Sequence, residues 1–191
     1  METTPSLKDK TARGFFWGAL NNGTMQVLNA VFGIVLARKL DQDDYGLIGM
    51  LTIFTLIANS LQDSGFVTAL TNKRDATRND YNAVFWFNIG VSLCLYILLF
   101  FCAPLIAWFF NEPILTNLSR YYFFGFFIAS FSIVPRAILF RQMKQKELAI
   151  MGLTALLISG IVGITMAYNG LAYWGLATQT IVFNLMVSIL S

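Results

Sequence analysis

Six long apolar segments run along this chain, and they constrain its fold more than any other feature. Between Tyr45 and Gln62, for example, there is no Asp, Glu, Lys or Arg. Each segment reaches the roughly 17–25 residues that a helix needs to cross a bilayer. Because lipid offers no partner for backbone polar groups, each segment is predicted to be a helix. The expected spans are residues 14–37, 45–70, 83–110, 118–135, 148–168 and 173–191.

The low share of charged residues supports an all-α integral membrane protein. Only 12% of the residues are charged, whereas soluble domains carry about a quarter. The chain has no histidine, which removes the commonest metal ligand and the usual acid–base group near neutral pH. No P-loop, dinucleotide fingerprint or zinc-protease motif is present. We therefore expect no catalytic set, no cofactor, no metal and no nucleic-acid partner.

The distribution of Lys and Arg predicts the orientation of the helices. If the N-terminus is cytoplasmic, ten of the 13 basic residues fall on the inner side. The outer side then holds only Arg38, Lys39 and Arg120. Because basic residues concentrate in cytoplasmic loops, this asymmetry favours a cytoplasmic N-terminus.

A polar stripe interrupts the first apolar segment near the middle of the membrane. Gly18, Asn22, Gln26, Asn29 and Gly33 recur at steps of three and four residues, so they share one face of a helix. The amides could form hydrogen bonds across a tight helix–helix interface. Equally, they could line a hydrated cavity compatible with sugars, because amides both donate to and accept from hydroxyls. The sequence leaves both interpretations open.

Asp63 is the first carboxylate after the long uncharged part of the second segment. It follows Tyr45 by 18 residues, or about 27 Å along a helix, against a hydrocarbon core about 30 Å thick. This depth places Asp63 near the cytoplasmic edge rather than at the midplane. The favoured interpretation is a helix end followed by a bend at Ser64 and Gly65, and the alternative is an acid facing a functional cavity.

Two arginines, one in the fourth segment and one in the basic stretch after it, are candidates for binding an anionic head group. Arg120 is expected near the outer end, where it could reach the interface or, facing a central cavity, attract a pyrophosphate or an acidic sugar. Arg141 belongs to a basic inner stretch with Arg136, Lys144 and Lys146. That stretch fixes topology near anionic lipid and could also capture an anionic head group. Pro135 is predicted to end the fourth helix.

Two further patterns concern packing and an alternative function. Small residues in the fifth segment, Gly152, Ser159, Gly163 and Ala167, predict close helix packing. Three acids of the first outer loop could instead belong to a membrane-embedded enzyme of polysaccharide assembly. They are Asp41, Asp43 and Asp44. The sequence shows no general acid grouped with phosphate-binding residues near these three aspartates. The favoured interpretation is therefore that they are solvated acids of a loop.

An ordered set of motifs resembles one family of bacterial membrane proteins. The stretches are "LARKLDQDDYGLIGMLTIF", "QDSGFVTALTNKRD", "NAVFWFNIGVSLCLYILLFFCAPLIAWFFNEP", "PRAILFRQMKQKELA" and "GLAYWGLATQ". They resemble the bacterial polysaccharide exporters, the O-antigen and colanic- or teichuronic-acid-type flippases. These belong to the multidrug/oligosaccharidyl-lipid/polysaccharide superfamily, which also holds MATE-like transporters. The resemblance runs along nearly the whole chain.

The resemblance implies a transporter in the bacterial cytoplasmic membrane rather than an enzyme. It implies two six-helix lobes around a cationic, hydrated cavity for a lipid-linked oligosaccharide of the polyprenyl pyrophosphate type. This chain would form the N-terminal lobe, with a C-terminal lobe or a second copy as partner beside the membrane lipid. The candidate cavity residues are Asn22, Gln26, Asn29, Asp63, Arg120 and Arg141. A drug or cation antiporter of the same superfamily is the alternative, disfavoured because such proteins usually carry a carboxylate at membrane depth.

Overall fold

The computed structural model describes residues 23–62, 77–142 and 144–191, and every regular element in these ranges is a helix. The helices are α1 (Gly23–Ala37, its described part), α2 (Gln42–Gln62), α3 (Arg78–Phe110), α4 (Leu115–Arg141), α5 (Gln145–Tyr168) and α6 (Ala172–Leu190). Helices α2 to α6 are each long and apolar enough to cross a membrane, and α1 is a shorter apolar helix as described. The predicted all-α membrane fold is confirmed.

The predicted end of the fourth helix at Pro135 is wrong. Helix α4 continues through Pro135 to Arg141. A proline removes one backbone donor and crowds the preceding turn, but helices in membranes tolerate it because neighbouring groups satisfy the freed carbonyl. Pro104 likewise lies inside α3 without ending it.

Helix α3 begins earlier than its apolar run predicts because its first turn is capped by polar side chains. Thr77 accepts a hydrogen bond from the Asp80 N–H at 3.3 Å, and Asp80 accepts one from the Thr77 N–H at 2.9 Å. This reciprocal capping box extends the helix beyond its apolar part. With 33 residues, α3 is about 50 Å long and exceeds the roughly 30 Å hydrocarbon core.

Helices α3 and α4 form an antiparallel hairpin. Asn111 ends α3 in the left-handed region at φ 57°, with its N–H directed at the carbonyls of Ala107 and Trp108. Aromatic rings join the two helices along their length: the Tyr96 ring stacks on Phe127, 6.1 Å between centroids, and also meets Phe124. These ring contacts define one side of the α3–α4 hairpin.

Helix α6 packs against α4 through three hydrogen bonds between the helices. The Tyr121 and Thr178 hydroxyls lie 3.0 Å apart, Asn184 donates to the Gly125 carbonyl at 3.0 Å, and Ser188 donates to the Ile128 carbonyl at 2.9 Å. A Cβ on Gly125 would lie 2.9 Å from the Ile181 side chain, so the missing side chain permits this close approach. Small and polar residues thus hold these helices together, as in other membrane bundles.

Helix α5 packs against α1 on one side and against α6 on the other, and its small residues allow both helices to approach closely. The Phe32 ring of α1 lies over Gly160, where an added Cβ would lie 2.5 Å from the ring. On the α6 side, Gly163 meets the side chain of Gln179, and Gly175 lies close to the Gly163 carbonyl. The predicted close packing of α5 is confirmed.

Helix α2 completes the described bundle by packing against α3, α4 and α6. Its Leu51 is fully buried in the largest apolar cluster, together with Leu115, Leu118 and Phe123 of α4. The described part of α2 ends at Gln62. The expected continuation to residue 70 lies outside the described residues.

Candidate functional site

The amides of α1 lie on the flank of the helix that is not occupied by α5. Met25, Phe32 and Leu36 form the side that packs on α5, against Gly152, Gly160 and the Ala167 cluster respectively. Gln26 and Asn29 lie beside that face and are exposed. Neither side chain hydrogen-bonds to any residue that the structure describes. We call Gln26 and Asn29 the amide flank.

The amide flank lies on the side of α1 where α2 begins. The Tyr45 hydroxyl of α2 approaches the carbonyl of Gly33 at 3.5 Å, and Gly33 lies on the same flank of α1 as Gln26 and Asn29. Farther along α2, Asn59 and Ser60 are exposed on the side of the helix that carries Tyr45. Polar side chains of α1 and α2 therefore border the same side of the bundle.

Arg141 is held at the junction of α3 and α4. It ends α4, and its Nη1 donates a hydrogen bond of 2.6 Å to the hydroxyl of Tyr81 in the first turn of α3. The guanidinium is partly buried. The arginine therefore ties the ends of two helices together at the membrane face where the basic stretch lies.

Arg120 lies near the other end of α4, beside α3. Its guanidinium carbon is 4.5 Å from the centroid of the Phe100 ring in α3. Along α4, 21 residues separate it from Arg141, about 31 Å at the helical rise.

The six candidate residues do not form one cluster within the described part of the chain. The two amides share a flank of α1, whereas the two arginines lie at opposite ends of α4. Asn22 and Asp63 lie outside the described residues. The assignment of substrate contacts to these six residues stays a prediction.

A buried polar contact between α2 and α3 is a feature that the sequence interpretation missed. The Gln62 amide donates to the Ser92 hydroxyl at 2.5 Å, and both side chains are buried. Asn88, one turn before Ser92, is also buried and donates to the Val84 carbonyl of its own helix. The spacing of Asn88 and Ser92 in an apolar helix was the available signal, since polar residues inside membranes face protein rather than lipid.

The three acids between α1 and α2 form the beginning of α2. Asp43 and Asp44 occupy the first turn, where the helix dipole favours negative charge. The Asp44 carboxylate accepts a hydrogen bond from the Asp41 N–H at 3.1 Å. Within the described ranges, no group of three or more His, Cys, Asp or Glu side chains is arranged to hold a metal ion. The local contacts are those of helix capping.

Taken together, the fold and the amide flank define a multi-span helical membrane protein with two exposed amides on an apolar helix. The family of polysaccharide biosynthesis proteins matches residues 35–191, and the chain belongs to this family. The resemblance to bacterial polysaccharide exporters predicted from the motifs is thereby confirmed. No solved structure matches the chain significantly.

Three curated bacterial proteins are similar to this chain. It is 26% identical over 184 residues to the lipopolysaccharide biosynthesis protein WzxC of Escherichia coli strain K12, which covers 96% of this chain and 36% of that protein. It is 29% identical over 144 residues to the teichuronic acid biosynthesis protein TuaB of Bacillus subtilis strain 168. That match covers 75% of this chain and 29% of TuaB. An uncharacterized membrane protein in the cps region of Klebsiella pneumoniae is 28% identical over 145 residues. That match covers 75% of this chain and 28% of the Klebsiella protein. The chain thus spans about a third of the length of these relatives.

Proposed function

We propose that this chain forms the N-terminal lobe of a transporter that moves lipid-linked oligosaccharides across the bacterial cytoplasmic membrane for cell-surface polysaccharide synthesis. The family match over residues 35–191 and the names of the relatives support the class of process. The observation that carries the proposal is the amide flank, because Gln26 and Asn29 are exposed in an apolar helix and form no hydrogen bond with the described residues.

The chemistry of the amide flank suits an oligosaccharide. Side-chain amides offer both donors and acceptors, and sugar hydroxyls need both. Lipid offers neither, so amides at this depth require protein, water or substrate as partners. A water-filled cleft beside α1 and α2 would satisfy Gln26 and Asn29 when empty and would present them to hydroxyls when a sugar enters.

A second bundle is the partner that would close this cleft. The relatives are about three times as long as the matched region, which leaves room for a C-terminal lobe of similar size. A second copy of this chain is the other candidate. Rocking of two bundles about the cleft would expose the head group to alternate sides, while the polyprenyl tail stays in lipid.

We propose that Arg141 meets the pyrophosphate as the head group enters. Its hydrogen bond to Tyr81 holds the guanidinium at the end of α4, where the basic stretch lies. A guanidinium matches phosphate oxygens through paired N–H donors. In this scheme the arginine guides an anionic group toward the cleft and performs no chemistry.

The proposal is tested by inactivating the chain in a bacterium that depends on it. We expect loss of surface polysaccharide with unchanged drug susceptibility and unchanged glycosyl transfer in isolated membranes. Altered drug susceptibility alone would instead support an antiporter, and loss of glycosyl transfer would support an enzyme.

The proposed orientation, with a cytoplasmic N-terminus, predicts which end of α4 is accessible from outside. Single cysteines would replace Glu112, in the turn before α4, and Gln142, just after it, in a background carrying Cys94→Ala and Cys102→Ala. Both replaced side chains are exposed. In intact cells a membrane-impermeant thiol reagent should label E112C and spare Q142C until the membrane is opened. The reverse pattern would invert the topology.

A further inference from the structure

Arg120 occupies a seam between α3 and α4 whose walls are aromatic. The guanidinium carbon lies 4.5 Å from the Phe100 centroid. Next along the seam, the Tyr96 ring contacts Phe124 and Phe127. A guanidinium on an aromatic face is a favourable cation–π arrangement, but the ring does not neutralise the charge.

The seam is on the periphery of the described bundle. Helix α2 meets α4 at Tyr122, whose hydroxyl lies 3.4 Å from that of Thr52, and α6 meets it at Tyr121 and Gly125. At 100° per residue, Arg120 projects to the same side of α4 as Phe124 and Phe127, which contact Tyr96 of α3, and Phe124 is 43% exposed. The guanidinium therefore borders a surface that none of the other described helices covers.

The guanidinium lies in the part of the hairpin that is near the α3–α4 turn. Trp108 and Phe109, near the end of α3, are 78% and 71% exposed, and exposed aromatic residues at this position are typical of the interfacial belt. Arg120 follows the first residue of α4 by five positions, about 8 Å along the helix, so an extended arginine side chain reaches the head-group region. A cation at the edge of the hydrocarbon is costly unless an anion accompanies it.

The described residues supply no such anion. Arg120 forms no ion pair with any of them, and its Nε is buried without a hydrogen-bond acceptor. Glu112, the carboxylate nearest in sequence on this side of the membrane, is exposed in the turn before α4. Among the described residues, the guanidinium therefore has an N–H donor without an acceptor and a positive charge without a counter-ion.

We propose that Arg120 binds the phosphate of an anionic phospholipid at the α3–α4 seam, on the membrane face where the α3–α4 turn lies. The planar guanidinium presents paired donors that match phosphate oxygens. A lipid with a net negative charge neutralises the arginine, whereas a zwitterionic one does not. Its acyl chains would lie against the exposed side chains of Phe101 and Leu105. This site is separate from the amide flank and does not depend on the transport proposal.

Native mass spectrometry of the purified 191-residue chain, titrated with phosphatidylglycerol or phosphatidylcholine, tests the proposal. We expect one phosphatidylglycerol to be retained about ten-fold more tightly than phosphatidylcholine, as one charge-assisted contact predicts. R120Q should abolish this preference. The matched control R136Q, which removes an exposed arginine of the same helix, should keep it. Equal retention of both lipids by the unsubstituted chain, or the same preference in R120Q and R136Q, would overturn the proposal.

A competition experiment on the unsubstituted chain removes any dependence on how R120Q folds. Phosphatidic acid should displace bound phosphatidylglycerol, and diacylglycerol, which lacks the phosphate, should not. Displacement by diacylglycerol at equal concentration would show that acyl chains alone occupy the seam. If a polyprenyl pyrophosphate displaced phosphatidylglycerol at a tenth of its concentration, the position would belong to the transported substrate and the phospholipid assignment would be wrong.

Discussion

Replacing both amides of the flank, Gln26→Leu with Asn29→Leu, should lower surface polysaccharide by about ten-fold or more. Each amide is expected to contribute about 0.5–1.5 kcal/mol through hydrogen bonds to sugar hydroxyls or to the water that solvates them, and 1.4 kcal/mol corresponds to ten-fold. Insertion into the membrane should not suffer, because leucine is more favourable than an amide in lipid. Quantifying surface polysaccharide and the amount of the chain in the membrane separates the two effects.

The matched control is a double substitution of exposed apolar residues on the same helix, Val27→Leu with Val31→Leu. These side chains are 63% and 48% exposed, so they test whether α1 tolerates larger groups at its surface. We expect export close to that of the unsubstituted chain. Full export by the Gln26 and Asn29 double variant would show that the two amides take no part in transport. They would then be residues of a helix–helix interface.

Phe123→Ala should destabilise the bundle more than any other single truncation of an aromatic side chain discussed above. The ring is fully buried in the cluster where α2 meets α4. Lipid removes most of the hydrophobic driving force between membrane helices, but the lost packing contacts and the cavity remain, and such truncations cost about 3–5 kcal/mol in soluble cores. We expect about 2–4 kcal/mol here, which a thermal unfolding series in mild detergent would record as a lower midpoint.

The neighbouring residue supplies the control for this prediction. Phe124 is 43% exposed and projects toward the α3–α4 seam. Much of the Phe124 ring contacts detergent or lipid, which fills the space when the ring is removed. Phe124→Ala should therefore lower the free energy of unfolding by less than about 1 kcal/mol. A midpoint that falls equally for both variants would mean that the described burial of Phe123 does not reflect the packing of the folded chain.

The helices and the polar stripe could be predicted from the sequence because both are periodic. An apolar run of this length has one stable form in lipid, and steps of three and four residues place Gln26 and Asn29 on one side of α1 without knowledge of any neighbour. The small residues of α5 predicted close packing for the same reason, although not that Phe32 would lie over Gly160.

Features that depend on a neighbouring helix could not be predicted. The position of the Phe100 ring beside Arg120 depends on how α3 and α4 align. The sequence alone favoured the outer interface for this arginine, with a central cavity as the alternative, and did not predict the ring. The Gln62–Ser92 contact joins residues 30 positions apart. The predicted helix end at Pro135 was wrong because the effect of a proline on a helix depends on whether other groups satisfy the freed carbonyl.

The sidedness of the lipid-linked oligosaccharide in membranes with and without this chain tests the central claim most directly. A membrane-impermeant glycosidase, added to intact spheroplasts, digests only sugar on the outer leaflet. We predict that the oligosaccharide is digested when the chain and its partner bundle are present, and that it accumulates undigested when the chain is missing. An equal digested fraction in both membranes would contradict the account, because the oligosaccharide would then cross without this protein.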